Sequence, residues 1–250
     1  MPEIRIIHTS DFHDCLTPEK AALLRRLKEE HGALLIDAGD AVRALNVTVM
    51  PWRERAVGLM NAAGYDAMGL GNREYFFRQS GMRWKTGHAG FARVSSNCRG
   101  RGGSLDSASR AAVLDAGGVK LGLIGVMPTM IEPGHFFERL SDMRFPPWQD
   151  AAREAVEPLV GSCDIIVALF HRPDREIDEL LEVCPEVKLV LAGHQHILDS
   201  TVEVRDDGRI VSRVGEDASH CRVLGLRIPE GTVTMDELVG LDAPRSSEET

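Results

Sequence analysis

The apolar run Ile4-Arg-Ile-Ile-His-Thr-Ser ends at Asp11, and His13 follows two residues later. A hard carboxylate oxygen beside an imidazole nitrogen is a donor pair suited to Zn²⁺, Mn²⁺ or Fe. Taken alone, the triplet fits a capping aspartate next to a surface histidine just as well. The form recurs, however, in Ala33-Leu-Leu-Ile-Asp-Ala-Gly-Asp40, Ala67-Met-Gly-Leu-Gly-Asn72, Ile165-Ile-Val-Ala-Leu-Phe-His171 and Val187-Lys-Leu-Val-Leu-Ala-Gly-His194-Gln-His196. Each is an apolar run that stops at residues able to bind a cation. Five runs thus supply seven candidate metal ligands: Asp11, His13, Asp40, Asn72, His171, His194 and His196. Buried strands present side chains at their carboxyl ends, and in an α/β sheet those ends share one edge where ligands bind.

With these residues in this order, the chain resembles the calcineurin-like metallophosphoesterases, whose motifs run D-x-H, G-D, G-N-H-[DE], H and G-H-x-H. The matching stretches are Asp11-Phe-His13, Gly39-Asp40, Gly71-Asn72-Arg73-Glu74, His171 and Gly193-His194-Gln195-His196. Within that family, His-Thr-Ser-Asp-Phe-His, Asp-Ala-Gly-Asp and Met60-Asn-Ala-Ala-Gly-Tyr-Asp66 are most similar to the catalytic domain of 5'-nucleotidases. The resemblance spans residues 4 to 215 and implies an α/β fold: two sheets stacked as a sandwich and flanked by helices, four layers in the order α/β/β/α.

It also implies two divalent ions, Mn, Zn or Fe. Asp11, His13 and His196 would hold one, Asn72, His171 and His194 the other, and Asp40 would bridge them. Cations held about 3.5–4 Å apart can clamp both oxygens of an in-line displacement and lower the pKa of a shared water towards ~7. The expected chemistry is phosphoester hydrolysis by a metal-bridging hydroxide. The expected substrate is a small phosphorylated molecule, monoester or diester, with nucleotide-like compounds among the candidates.

One position departs from the family. Arg73 stands where the family has a histidine that contacts the phosphoryl group and protonates the leaving oxygen, and Phe76 stands where 5'-nucleotidases carry that histidine's aspartate partner. Arginine keeps its proton near neutral pH but grips phosphoryl oxygens through paired N–H bonds. Arg73 and Asp40 are therefore the expected catalytic residues, with electrostatic catalysis kept and the protonation step lost. The same substitution admits a second reading, a metal-containing scaffold or phosphate-ligand sensor with little or no turnover. The complete set of seven ligands speaks against it.

Asn97 matches an asparagine of 5'-nucleotidases and joins Arg73, Arg99 and His88 as expected substrate contacts; a solvent-exposed His88 is the plainer alternative. Asp37 and Glu74 are candidates to orient the imidazoles, because a metal-bound histidine donates its other N–H to a carboxylate or carbonyl. His8 fits a core histidine, His31 fits a helix end, and Cys15 is close enough in sequence to His13 to approach a metal.

To bring these groups together the chain must repeat βαβ units. Thr17 and Pro18 open a helix running to about His31, with Leu23, Leu24 and Leu27 on one face, and Gly32 leads into the second strand. Residues 51–63 predict the next helix and residues 65–70 the third strand, parallel to the others by right-handed crossover. A loop or short helix over the site is expected at residues 75–90, and another strand at 91–97. Two runs around Gly117-Gly118 predict a hairpin that starts a second sheet. Residues 128–147 read as irregular, whereas 148–160 and 174–184 read as helices that return the chain to the same sheet edge. Asp207-Gly208 marks a type I′ hairpin, with strands at 222–228 and 232–238 after it. One domain over residues 1–241 is expected, with a frayed polar tail at 242–250.

A chain of 250 residues, 43% apolar and 27% charged, suits a globular α/β protein. It has no apolar stretch of about 18 residues and no basic-then-apolar leader, so a soluble, cytoplasmic protein without a membrane partner is expected. Five widely spaced cysteines argue against a disulfide framework. The net charge of −9 disfavours a nucleic-acid partner, yet residues 72–110 carry eight basic and two acidic side chains. That local surplus either steers a small anionic substrate or forms a solvated basic loop. A homo-oligomer is left open.

Overall fold

The computed structural model describes residues 2–43, 45, 48, 52–196 and 200–242. The first strand, β1 (Glu3–Thr9), lies beside β2 (Leu34–Asp37), β3 (Ala67–Gly69) and β4 (Ala92–Val94), all parallel. Two antiparallel strands, β13 (His220–Arg227) and β14 (Thr232–Gly240), extend the other edge, giving the order β14-β13-β1-β2-β3-β4. A short pair, β5 (Arg99–Gly100) with β8 (Met143–Arg144), sits apart. The second six-stranded sheet starts with the hairpin β6 (Ala111–Ala116) and β7 (Val119–Val126). It grows in parallel through β9 (Ile165–Phe170), β10 (Val187–Ala192) and β12 (Ile210–Arg213), and closes with antiparallel β11 (Thr201–Val204).

Strand alternation explains the layers. Ile4 and Ile6 of β1 point between the sheets, where they meet Leu121, Leu123, Val167 and Leu189. Ile7 points the other way, onto Leu24 and Leu27 of α1 (Pro18–His31) and Met60 of α2 (Arg55–Ala63). In the second sheet Val167 and Leu169 face inwards, whereas Ile166, Ala168 and Phe170 face α5 (Trp148–Val156) and α6 (Ile177–Val183). Strands buried on both faces have to be apolar throughout, which is why these segments read as unbroken runs. Each fully buried leucine or isoleucine contributes about 1.5–3 kcal/mol. The result is the expected α/β/β/α sandwich. A fourth apolar cluster, with Leu70, Tyr75, Met82 of α3 (Gln79–Thr86), Met127 and Phe145, lies beneath the segment that follows β3.

Helix α1 begins where its sequence says it should. The Thr17 hydroxyl accepts the Lys20 N–H at 3.3 Å, Pro18 fills the first turn, and Gly32 ends the helix at φ 57°. Other boundaries are corrected. Helix α2 starts at Arg55, after an extended Glu54, and Pro51 lies outside the described residues. Helix α5 gives way at Glu157–Leu159 to a 3₁₀ turn, because Pro158 has no N–H to continue the α pattern. The helix expected from residue 174 opens as a 3₁₀ turn, Asp174–Glu176, before α6. The irregular stretch at 128–147 holds a short α4 (Phe136–Leu140).

The hairpin at Asp207-Gly208 is not type I′. A type I′ turn needs positive φ at both central residues, and here only Gly208 has it, at 78°. The Asp207 carboxylate accepts the Arg209 N–H at 3.0 Å and favours the tighter local turn closed by Gly208 N–H on the Arg205 carbonyl at 2.8 Å. The frayed tail expected at 242–250 lies, from residue 243 on, outside the described residues. No described helix is long and apolar enough to cross a membrane.

Candidate metal centre

The five ligand-bearing runs do not share one sheet edge, as the sequence predicts, but divide between the two sheets. Strands β1, β2 and β3 belong to the first, and β9 and β10 to the second. The β6–β7 hairpin is the physical cause. It founds a new sheet, and β9 and β10 then pair onto β7 in parallel. The strand ends still converge, because stacked sheets bring their carboxyl ends together across the sandwich. Backbone bonds lace them: Asp11 N–H to the Gly39 carbonyl at 2.9 Å, His13 N–H to Asp40 at 3.0 Å, Gly193 N–H to Phe170 at 3.0 Å. The His194 N–H crosses from the second sheet to the Asp11 carboxylate at 3.0 Å.

The loops that carry the ligands are strained. Asp11, His13, Asp40, His194 and His196 all have positive φ, between 48° and 80°. Such a conformation costs a non-glycine residue about 1–3 kcal/mol and persists only where the surroundings impose it. Two glycines let the loops close this tightly. A Cβ on Gly71 would collide with the Asp40 carboxylate and backbone, and a Cβ on Gly193 would meet Ser10, Asp11 and His171.

The side chains then meet in one place. The Asp11 Oδ1 lies 3.5 Å from His196 Nε2, 3.6 Å from His13 Nε2 and 3.9 Å from His171 Nε2. Asp40 lies 3.4 Å from His171 Nε2 through Oδ1 and 4.0 Å from His13 Nε2 through Oδ2. The His171 and His194 rings are 5.1 Å apart. These separations are long for direct hydrogen bonds. Two ligand atoms each about 2.1 Å from one tetrahedral ion stand about 3.4 Å apart, so the spacing leaves room for cations.

Five atoms of the seven candidate ligands make the stronger case. Asp11 Oδ1, His13 Nε2, Asn72 Oδ1, His171 Nε2 and His194 Nδ1 are buried without a hydrogen-bond partner among the described residues. Buried polar atoms are nearly always paired, so five orphans among the seven candidate ligands fit divalent ions with nitrogen and oxygen ligands. Electrostatics agree. Burial alone would lower the His171 imidazole, yet Asp40, Asp11 and Glu74 around it push it up to about 10. Burial would raise the Asp11 carboxyl, but His171, the nearby His13 imidazole, a hydrogen bond from Ser10 and the His194 N–H hold it below the usual carboxylate range. The pocket calls for positive charge.

Surrounding groups orient the cluster. Glu74, fully buried, accepts N–H bonds from Gly71 at 2.8 Å, from Asp40 and Ala41 at 3.0 Å and from Val42 at 3.3 Å. Asp37 accepts from Thr9 Oγ1 at 2.7 Å and Gly39 N–H at 2.8 Å, and so shapes the turn rather than an imidazole. The His171 Nδ1 faces the Ala38 carbonyl at 3.1 Å. Glu216 and Asp217, which the sequence reading missed, face the far nitrogens of His196 and His13 at 2.8 and 3.0 Å. They follow β12 in the stretch Ile210-Val-Ser-Arg-Val-Gly-Glu-Asp217, where Ser212 and Arg213 interrupt the apolar residues.

The remaining expected residues have the following surroundings. Arg73 belongs to the site: its N–H donates to Asp40 Oδ1 at 2.7 Å, and its Nε is 3.8 Å from Asp40 Oδ2. Phe76 packs on Phe77. Asn97 is buried, with both ends of its amide committed to the Met127 backbone, at 2.7 and 3.0 Å. Arg99 pairs with Glu154 at 2.7 Å, and His88 Nε2 donates to the Glu54 carbonyl at 3.1 Å. The structure thus gives these three partners other than the cluster. Cys15 is exposed and joins no candidate metal group among the described residues. Much of the basic segment is used internally: Arg110 also pairs with Glu154, Arg101 binds carbonyls of α4 and Ser141, and Lys85 is buried.

Comparison with known proteins places this geometry. The sequence model described as calcineurin-like phosphoesterase matches residues 4–198. A snake venom 5'-nucleotidase of Gloydius brevicauda is 27% identical over 77% of this chain and 37% of that protein. A probable 5'-nucleotidase of Treponema pallidum is 26% identical over 78% of this chain and 37% of that protein. The chain therefore spans little more than a third of the length of these relatives. The 5'-nucleotidase precursor of Thermus thermophilus superposes with a TM-score of 0.74, at 21% identity, over 95% of this chain and 54% of that one. The calcineurin-like phosphoesterase YfkN of Bacillus subtilis does so with a TM-score of 0.70, at 17% identity, over 96% and 91%. With the motif order, the four-layer fold and the match over residues 4–198 in agreement, this chain belongs to the calcineurin-like phosphoesterase family.

Proposed function

We propose that this chain hydrolyses phosphoester bonds at a centre of two divalent ions, Mn, Zn or Fe. The observation that carries the reading is that five of the seven candidate ligands have a buried, unpartnered ligand atom. Asp11, His13 and His196 would hold one ion and Asn72, His171 and His194 the other, with the Asp40 carboxylate shared. When bound, such ions polarise phosphoryl oxygens and make water available as a nucleophile near neutral pH. The relatives named 5'-nucleotidase support a small phosphorylated substrate, nucleotide-like compounds included; the candidate ligand set fits a monoester or a diester.

The protein's own part is positioning. Asp40 Oδ1 is held by the Arg73 N–H, and the Arg73 guanidinium reaches the same carboxylate's other oxygen. From there it can orient phosphoryl oxygens through two parallel N–H bonds, but it gives up no proton near neutral pH. Neither Arg73 nor Phe76 supplies a general acid, so the leaving oxygen takes its proton from water. Esters of acidic alcohols and phenols are the favoured substrates.

The test is release of 4-nitrophenol from 4-nitrophenyl phosphate and from its bis-ester with Mn²⁺, with Asp40→Asn as control. Metal-dependent release lost in Asp40→Asn supports the proposal, and no metal-dependent release from either ester overturns it. The second reading, a metal-holding scaffold or phosphate sensor, draws on the Arg73 and Phe76 replacements and would be favoured by that negative outcome together with retained metal.

A further inference from the structure

The loop at residues 214–219 links β12 of the second sheet to β13 of the first, directly beside the cluster. It is fixed at several points. The Asp217 N–H donates to the Asp11 carbonyl at 2.8 Å, Gly215 N–H to Ser200 Oγ at 2.9 Å, and Lys20 Nζ to the Ala218 carbonyl at 2.7 Å. Ser219 Oγ ties back to the Glu216 carbonyl at 2.8 Å. Asp217 and Ala218 pay for this shape with positive φ, 60° and 53°.

The loop makes the two sides of the centre unequal. On the Asp11 side, both far imidazole nitrogens have a carboxylate: Glu216 Oε2 is 2.8 Å from His196 Nδ1, and Asp217 Oδ1 is 3.0 Å from His13 Nδ1. On the other side the His171 Nδ1 has only the neutral Ala38 carbonyl, at 3.1 Å. A carboxylate accepting Nδ1–H fixes the tautomer, leaves the Nε2 lone pair free for a metal and raises its basicity. The Asp217 side chain is 57% exposed and that of Glu216 30%, so water screens Asp217 more and Glu216 has the larger effect.

We propose that Glu216 and Asp217 are positioning residues that lock His13 and His196 with Nε2 facing the site, making the Asp11–His13–His196 position the tighter of two unequal metal positions. This rests on the dinuclear reading above, and metal counting keeps the two apart. Stripped protein is titrated with Mn²⁺, following free Mn²⁺ by electron paramagnetic resonance, in wild type, Glu216→Gln, Asp217→Asn and the double variant. The same set is repeated in a His194→Ala background, where only the Asp11-side position is complete.

Wild type is expected to bind two ions with distinct affinities. Glu216→Gln weakens the tighter one about 10–100-fold, the range for loss of a hydrogen-bonding group behind a metal-bound imidazole. Asp217→Asn weakens it less, and the His194→Ala background keeps the full effect. Glu216→Asp, which retains the charge, recovers part of the loss. If the double variant fails to fold, the single variants decide. Unchanged Mn²⁺ affinity in both single variants overturns the proposal. A wild type that binds at most one ion overturns the dinuclear reading instead, and the effect of Glu216→Gln on that ion still decides the role of the loop.

Discussion

The Glu74 carboxylate accepts the backbone N–H of Asp40 at 3.0 Å, so the residue next to the family's departure at Arg73 holds the carboxylate-bearing turn at the centre of the site. It takes three further N–H groups, from Gly71, Ala41 and Val42. Glu74→Gln keeps the shape but turns an acceptor oxygen into an NH₂ group facing backbone donors, which orphans two N–H groups. Each buried orphan costs about 1–3 kcal/mol. Denaturant titration should show a loss of that order and weaker metal retention. An unchanged midpoint would mean that these bonds do not hold the turn.

On the proposed reading, Arg73 sets the dependence on leaving group. With no general acid, the logarithm of kcat/KM should fall steeply as the pKa of the departing alcohol rises across a series of aryl and alkyl phosphates. Arg73→His combined with Phe76→Asp restores the family's pair, and general-acid help is typically worth about 10²–10⁴-fold. The gain should appear for alkyl esters and be small for 4-nitrophenyl phosphate. A flat dependence in wild type, with no gain in the double variant, refutes the account.

Lys85 anchors the segment that carries Arg73. Its buried Nζ donates to the carbonyls of Arg73 and Tyr75 at 2.8 Å and of Leu45 at 3.0 Å, three acceptors for three N–H bonds. Lys85→Met fills the volume but leaves three carbonyls without that donor. Stability should fall by about 1–3 kcal/mol. Because a displacement of about 1 Å in a positioning group can cost about 10²-fold in rate, kcat should fall more than KM rises. Lys85→Met with wild-type kcat would show that the anchor is dispensable.

The candidate site was legible in the sequence because its grammar is local. Each ligand closes an apolar run, and strands buried on both faces write that run plainly. What was not legible depended on partners far away. The run ending at His171 carries no mark of the sheet it joins, since a strand buried on both faces reads alike in either sheet. Glu216 and Asp217 were missed because Ser212 and Arg213 break the run before them, and acids after a polar hairpin look like ordinary surface. The sequence around Asn97 does not announce that its amide bonds the Met127 backbone, thirty residues away. The basic stretch from 72 to 110 looked like one patch until Glu154 and the carbonyls around α4 were found to take up much of it.

His8 makes stability depend on pH. It is fully buried on β1 with Nδ1 2.9 Å from Ser212 Oγ, and burial together with Arg222 on the adjacent strand lowers its pKa to about 3 from the usual 6.5. The unfolded chain therefore takes up a proton below pH 6.5 that the folded chain refuses. This group's contribution is complete above pH 6.5 and is lost as pH falls towards 3. Between pH 7.5 and 5.5 it costs about 1.4 kcal/mol. His8→Gln carries no such proton, so its stability deficit relative to wild type should shrink by that amount over the same interval. A deficit that is constant with pH contradicts the shift.

Metal removal should destabilise the fold in proportion to occupancy. The strained turns at Asp11, His13 and Asp40 are held by neighbouring backbone and by whatever satisfies their buried ligand atoms. An ion that binds only the folded chain adds RT ln(1 + [L]/Kd), about 2.7 kcal/mol at a hundredfold excess over Kd. Wild-type Tm, measured after chelation and then with increasing Mn²⁺, should rise in two stages if two ions of unequal affinity bind. Asp40→Asn weakens the ligand assigned to both ions, so both stages should shrink together. His194→Ala should remove one stage and spare the other. A Tm that ignores both chelator and Mn²⁺ would show that the five orphaned atoms find their partners without a cation.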